Sequence, residues 1–172
     1  MGYLKFLRCA FLLLFLAVNS HALNIENFTL TDGMGKFDFG KFEILNLELV
    51  NGVLEMPLER DEYKNITVLD KNFLSVLSSC FKDNKSCENT GKTNKEIKTE
   101  ILDIRQAGKI FLAEISFDSR LLVTFTVTEN KGVVRVRRPS DFKFKDSRFE
   151  RYLKNLIRQS YKDIKNESGK PK

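Results

Sequence analysis

Apolar and polar positions are patterned most clearly in the last third of the chain. Leu121, Val123, Phe125 and Val127 alternate with Leu122, Thr124, Thr126 and Thr128, the period of a half-buried strand. Ile110–Phe117 and Val133–Arg138 read as two further strands. From Ser147 the period changes: Phe149, Tyr152, Leu153, Leu156, Ile157, Tyr161 and Ile164 fall on one face of a helix, with Arg151, Lys154, Arg158 and Lys162 opposite. Ser147 and Glu150 have capping-box spacing. The order is strands followed by a helix that must cover their apolar face, an α+β arrangement.

A second copy of this pattern lies upstream. Lys36–Val53 aligns without gaps on Ser116–Val133 at an offset of 80, matching Phe37-Asp38 to Phe117-Asp118, Phe42 to Leu122 and Gly52-Val53 to Gly132-Val133. Ile66–Phe81 aligns on Phe142–Ile157 at an offset of 76, matching Asp70 to Asp146, Phe73 to Phe149 and Leu77 to Leu153. The register changes near Pro57 and Pro139, where turns tolerate differences in length. These landmarks exceed what two unrelated strand–helix units share by periodicity. Between the copies, residues 84–98 are rich in Asn, Lys, Thr, Ser and Gly and read as a linker. Residues 166–172 form a polar tail, expected to be disordered.

The N terminus has the three parts of a secretory signal. Lys5 and Arg8 precede an apolar core at Ala10–Val18, and Ser20-His21-Ala22 supplies a small-x-small cleavage site. The expectation is an exported protein, periplasmic or secreted, cleaved after Ala22. Loss of Lys5 and Arg8 leaves 27 basic against 23 acidic residues, net +4. The charge is uneven: residues 23–83 hold 11 acidic and 6 basic side chains, and residues 98–172 hold 18 basic and 10 acidic. Halves of opposite sign can attract each other within the chain.

Export also frames the cysteines. Cys9 leaves with the signal, and Cys80 and Cys87 remain as an even pair. They are either two free thiols or a local disulfide contributing roughly 2–3 kcal/mol.

Ile101–Tyr161 resembles the SpoVG (stage V sporulation protein G, septation regulator) family. The residues that carry the resemblance are Asp103-Ile104-Arg105, Gly108-Lys109, Ala113, Ser116-Phe117-Asp118, Leu122-Val123, Val127, Gly132-Val133-Val134, Val136, Pro139-Ser140, Ser147-Arg148 and Tyr161. Upstream, Gly52-Val53-Leu54-Glu55-Met56-Pro57 is similar to the family's Gly-Leu-Phe-Val-x-Met-Pro. The resemblance implies a small α+β module that pairs into a dimer through its sheet, with roles in septation and in DNA or RNA binding. Family members are cytoplasmic single modules, whereas this chain carries an export signal and two copies. The expected architecture is therefore two SpoVG-like modules, residues 23–83 and 99–165. Each is an antiparallel sheet with a C-terminal helix, and the two pack as a pseudo-dimer inside a monomeric chain.

Little in the sequence points to catalysis or to a cofactor. His21 is the sole histidine and belongs to the signal, so the mature chain has no imidazole for a triad, a general base or a zinc site. There is no glycine-rich phosphate loop. Asp32-Gly33 reads as a turn, and Glu59, Asp61 and Glu62 as a solvated loop beside Arg60 and Lys64. The chain is expected to be a binding protein without metal or cofactor.

Its candidate contact surface is the basic set Arg135, Arg137, Arg138, Lys143, Lys145, Arg148, Arg151, Lys154 and Arg158. Such a set fits an anionic envelope component, a protein partner or, as an alternative disfavoured by export, nucleic acid. The same residues could instead form a solvated face or dock on the acidic half.

Overall fold

The computed structural model describes residues 23–59, 63–83, 87 and 96–168. The expected signal, most of the expected linker, the Asp61–Glu62 loop and the end of the tail lie outside them.

Twelve strands and two helices follow in order among these residues. They are β1 (Asn27–Thr31), β2 (Met34–Asp38), β3 (Phe42–Val50), β4 (Val53–Glu55), β5 (Leu58–Glu59), β6 (Tyr63–Lys64), β7 (Ile66–Val68), α1 (Lys71–Cys80), β8 (Thr99–Ala107), β9 (Ile110–Phe117), β10 (Leu121–Asn130), β11 (Val133–Arg137), β12 (Phe142–Phe144) and α2 (Ser147–Ser168). The fold is α+β with antiparallel sheets and a C-terminal helix, as the alternation and the helical period predict. Residues 99–107, which lack clean alternation, form a strand the pattern did not show.

The sheets exchange strands. The first runs β1-β2-β3, and β4 and β12 both pair with β3. The second runs β11-β10-β9-β8, and β7 pairs with β10. A strand from late in the chain thus completes the early sheet, and one from early in the chain completes the late sheet. In β12, Phe142 is opposite Ile44 and Phe144 opposite Phe42. In β7, Ile66 is opposite Val123 and Val68 opposite Leu121.

These pairings repeat at fixed shifts, 79 from β3 to β10 (44 to 123, 42 to 121) and 76 from β7 to β12 (66 to 142, 68 to 144). Backbone hydrogen bonds obey the same shifts. Leu45 N donates to Asp141 O as Thr124 N donates to Asn65 O, both at 2.8 Å, and Lys145 N donates to Lys41 O (2.9 Å) as Leu69 N donates to Arg120 O (2.7 Å). The strands therefore align Phe42 with Leu121 rather than with Leu122. The segment between Asp118 and Leu121 is one residue shorter than that between Asp38 and Phe42, and an ungapped alignment cannot register that. The shift of 80 holds at the next turns: Asn51-Gly52 and Lys131-Gly132 both have positive φ, the two-residue geometry that matches strand twist.

The exchange is sealed by phenylalanine. Phe42, Phe117 and Phe142 are fully buried, with ring centroids 4.8 Å apart for Phe42–Phe142, 4.9 Å for Phe42–Phe117 and 6.0 Å for Phe117–Phe142. Phe125 adds an edge-on contact to Phe142 at 5.6 Å. At the other end of the first sheet Gly35 lies under the Phe81 ring, and a Cβ there would overlap it. Cys80 ends α1 and is bonded to Cys87, with Cα atoms 5.1 Å apart; the bridge ties the helix end to the following loop.

Helix α2 buries Leu153, Ile157 and Tyr161, each removing apolar surface that stabilises the fold by about 1.5–3 kcal/mol. Its N-cap is Asp146, one residue before the expected Ser147: Asp146 Oδ1 accepts from Arg148 N (2.8 Å) and Phe149 N (3.1 Å). Glu150 pairs with Lys154 at 2.6 Å instead of reaching back. Asp70 caps α1 in the same way, accepting from Asn72 N at 2.8 Å.

Candidate functional site

The nine basic side chains do not form one surface. Arg135 and Arg137 are exposed and alternate with Val136, which is buried in the core. Strand alternation therefore turns them away from α2, onto the outer face of the second sheet. There they sit opposite Thr128 and Thr126, and neither has an ion-pair partner among the described residues. Arg138 is committed to the backbone, donating from Nη1 to the carbonyls of Pro139 (3.1 Å), Ser140 (3.3 Å) and Phe142 (2.5 Å). It holds the turn that leads into β12.

Lys143 and Lys145 travel with β12 into the first sheet. Lys143 lies 4.0 Å from Glu43, and Lys145 hydrogen-bonds Asp38. Asp38, with help from Glu43 and Glu26, raises the Lys145 ammonium above the usual lysine range. Two more ion pairs join residues from the two parts of the sequence: Lys41–Asp146 at 2.7 Å and Arg120–Asp70 at 3.5 Å. Part of the charge asymmetry is thus used inside the molecule, as the attraction between halves anticipates. Lys154 is held by Glu150, and Arg158 by Asn155 at 2.9 Å. Arg148 and Arg151 are exposed on α2, with no ion-pair partner among the described residues.

Arg148 opens on a feature the sequence did not show, a groove of about 690 Å³ at the start of α2. Besides Arg148 it is lined by Glu96, Ile97, Lys98, Thr99, Phe149 and Tyr152, with Lys41 and Asp146 at one side. Tyr152 was expected on the apolar face of α2, but it is 54% exposed and faces this groove.

Asp146 titrates unusually. The Lys41 ammonium first, then the Phe149 amide, lower its carboxyl to about 2. A depressed carboxyl contributes stability that is complete above its unfolded value, near 4, and is lost as pH falls through the folded value. Between pH 4 and pH 2 the helical circular dichroism of the wild type is therefore expected to decline partly through Asp146. D146N should lack that component, so its acid titration should be shallower in this window; an identical titration would refute the assignment. At the other end of α2, Glu129 accepts from Tyr161 OH (2.8 Å) and Lys165 Nζ (2.7 Å). Lys165 and then Tyr161 lower its carboxyl, and burial raises the Tyr161 phenol.

Among the described residues no three His, Cys, Asp or Glu side chains converge as a metal-ligand set. Comparison with known protein families, curated proteins and solved structures finds no match. The class these observations define is an α+β protein of two strand-exchanged antiparallel sheets.

Proposed function

We propose that this chain is an exported, non-enzymatic binding protein. Two SpoVG-like modules form within it, as a pseudo-dimer, the pairing that family members reach between separate chains. What supports this reading is the reciprocity of the exchange: β12 on β3 and β7 on β10 repeat at the same shifts, with matching hydrogen bonds and helix caps. An enclosed pseudo-dimer leaves the outer sheet faces for contact. On the second sheet that face presents Arg135 and Arg137, neither with an ion-pair partner among the described residues, while Glu114 on the same face is paired with Arg105.

The ligand proposed for this face is an anionic envelope component, and a role in septation or envelope processes follows from the family resemblance. Vesicles containing phosphatidylglycerol test it against vesicles of phosphatidylcholine. Each surface cation contributes about 1 kcal/mol near an anionic membrane, so R135Q/R137Q is expected to weaken binding about thirtyfold, with reduced salt dependence. Binding unaffected by the double substitution would overturn the assignment. Tighter binding to an oligonucleotide than to the vesicles, lost in R135Q/R137Q, would put the family's DNA- or RNA-binding role in its place.

A further inference from the structure

The shifts that relate the exchanged strands also relate the surroundings of the two helix starts, and there the two diverge. Arg120 in one corresponds to Lys41 in the other, Asp70 to Asp146, Asn72 to Arg148, Phe73 to Phe149 and Val76 to Tyr152. At the first, Arg120 lies over the Phe73 ring, 5.4 Å from its centroid, and is within ion-pair distance of Asp70. Phe73 is 4% exposed, so its ring is buried. At the second, Lys41 turns to Asp146, Phe149 is only half-buried, and the 690 Å³ groove opens beside it. That volume falls in the range of ligand sites. The replacements at the open site add a cation at Arg148 and an aromatic ring at Tyr152.

Three properties of the groove define what fits. Its floor is apolar, from Ile97 and Phe149, with the Tyr152 ring as a wall. The lining carries three cations, Lys41, Lys98 and Arg148, against two carboxylates, Glu96 and Asp146, and is net positive. Asp146 is already occupied by Lys41 and by the first helix amides, and Arg148 and Lys98 have no ion-pair partner among the described residues. The groove also includes Thr99, the first residue of β8. Among the described residues this strand pairs with β9 alone, so its outer edge has no strand partner there. An exposed sheet edge with pockets beside it is the setting in which proteins take up extended peptides by strand addition.

We propose that this groove docks an extended acidic peptide segment of a partner protein, added as a strand along the outer edge of β8. Its carboxylates lie against Arg148 and Lys98, and an apolar side chain between them rests on Phe149 and Tyr152. The site is separate from Arg135 and Arg137, which face the other side of the sheet, so it stands or falls independently of the envelope-binding surface.

Selection of a randomised peptide library on the purified, disulfide-bonded chain tests this. The expected result is enrichment of peptides that carry Asp or Glu beside an aromatic or branched apolar residue. By fluorescence polarisation, an enriched peptide should lose at least tenfold in affinity on R148E and severalfold on Y152A. Both positions are exposed, so these variants should fold as the wild type does. N-methylation of alternate peptide amides should abolish binding, because strand addition needs those donors, and R135Q/R137Q should leave binding unchanged. Recovery of no peptides, or of basic or uncharged ones, would overturn the proposal. So would equal binding to R148E, or tolerance of N-methylation in both alternations.

Discussion

Phe142→Ala should destabilise the protein by about 3–5 kcal/mol, the usual range for emptying a buried phenylalanine site. Folded chains of this size are stable by only about 5–15 kcal/mol in all, so the variant would be left marginal. The expectation is specific because of where Phe142 sits. It belongs to β12, pairs with Ile44 in the first sheet, and its ring meets Phe42 from that sheet and Phe117 and Phe125 from the second. The cavity would therefore open between both sheets. Urea unfolding followed by circular dichroism, with hydrogen exchange read separately over β2–β3 and β9–β10, should show both sheets losing protection together at a lower midpoint. Persistence of one sheet while the other melts would show that they are not cooperative. Val53→Ala, at a side chain 64% exposed, should stay within about 0.5 kcal/mol of the wild type.

The second large effect is one of association. A protease site placed between residues 88 and 95 would let the chain be cut in two after folding. The Cys80–Cys87 bridge would not join the pieces, since both cysteines lie before the cut. The pieces should nevertheless run as one species in gel filtration at micromolar concentration and separate only in denaturant. Each would still hold the other's missing strand: β12 on β3 and β7 on β10, with the buried Phe42–Phe117–Phe142 cluster and the Lys41–Asp146 and Lys145–Asp38 pairs between them. Separation without denaturant would mean that the exchanged strands contribute little, and the pseudo-dimer reading would fail with it.

The parts of this fold that were legible in the sequence are those whose side-chain period is unbroken. Leu121 to Val127 alternates cleanly because one face of β10 is core throughout, and Leu153, Ile157 and Tyr161 recur at helical spacing for the same reason. The strand at 99–107 was not legible. It lies at a sheet edge with a bulge between Ile101 and Asp103, and burial there does not alternate. Strand exchange was illegible for a deeper reason: period two tells which face of a strand is buried but nothing about which neighbour it pairs with. The duplicated pattern predicted two similar units, and pairing across them does not alter that pattern. The basic set was read as a unit because its members are close in sequence, yet β11, β12 and α2 carry them to different sides of the molecule. Tyr152 satisfied the helical apolar period and so was read as core; no signal in a single sequence separates a groove wall from a core residue at that spacing.

The order of synthesis gives the exchanged strands a kinetic consequence. Asn46 and Asp141, which hydrogen-bond across the junction, are 95 residues apart in the chain. At typical elongation rates the partner of β3 is made about 5–20 s after β3 itself. For that interval the early sheet has an uncovered edge at Phe42–Ile44, and Phe42 lacks the Phe142 ring that later packs on it. The nascent first half is a sticky, unfinished intermediate that matures only when nearly all of the chain has been made. Chaperone capture of this chain should therefore peak before residues 142–144 are made and fall sharply after them.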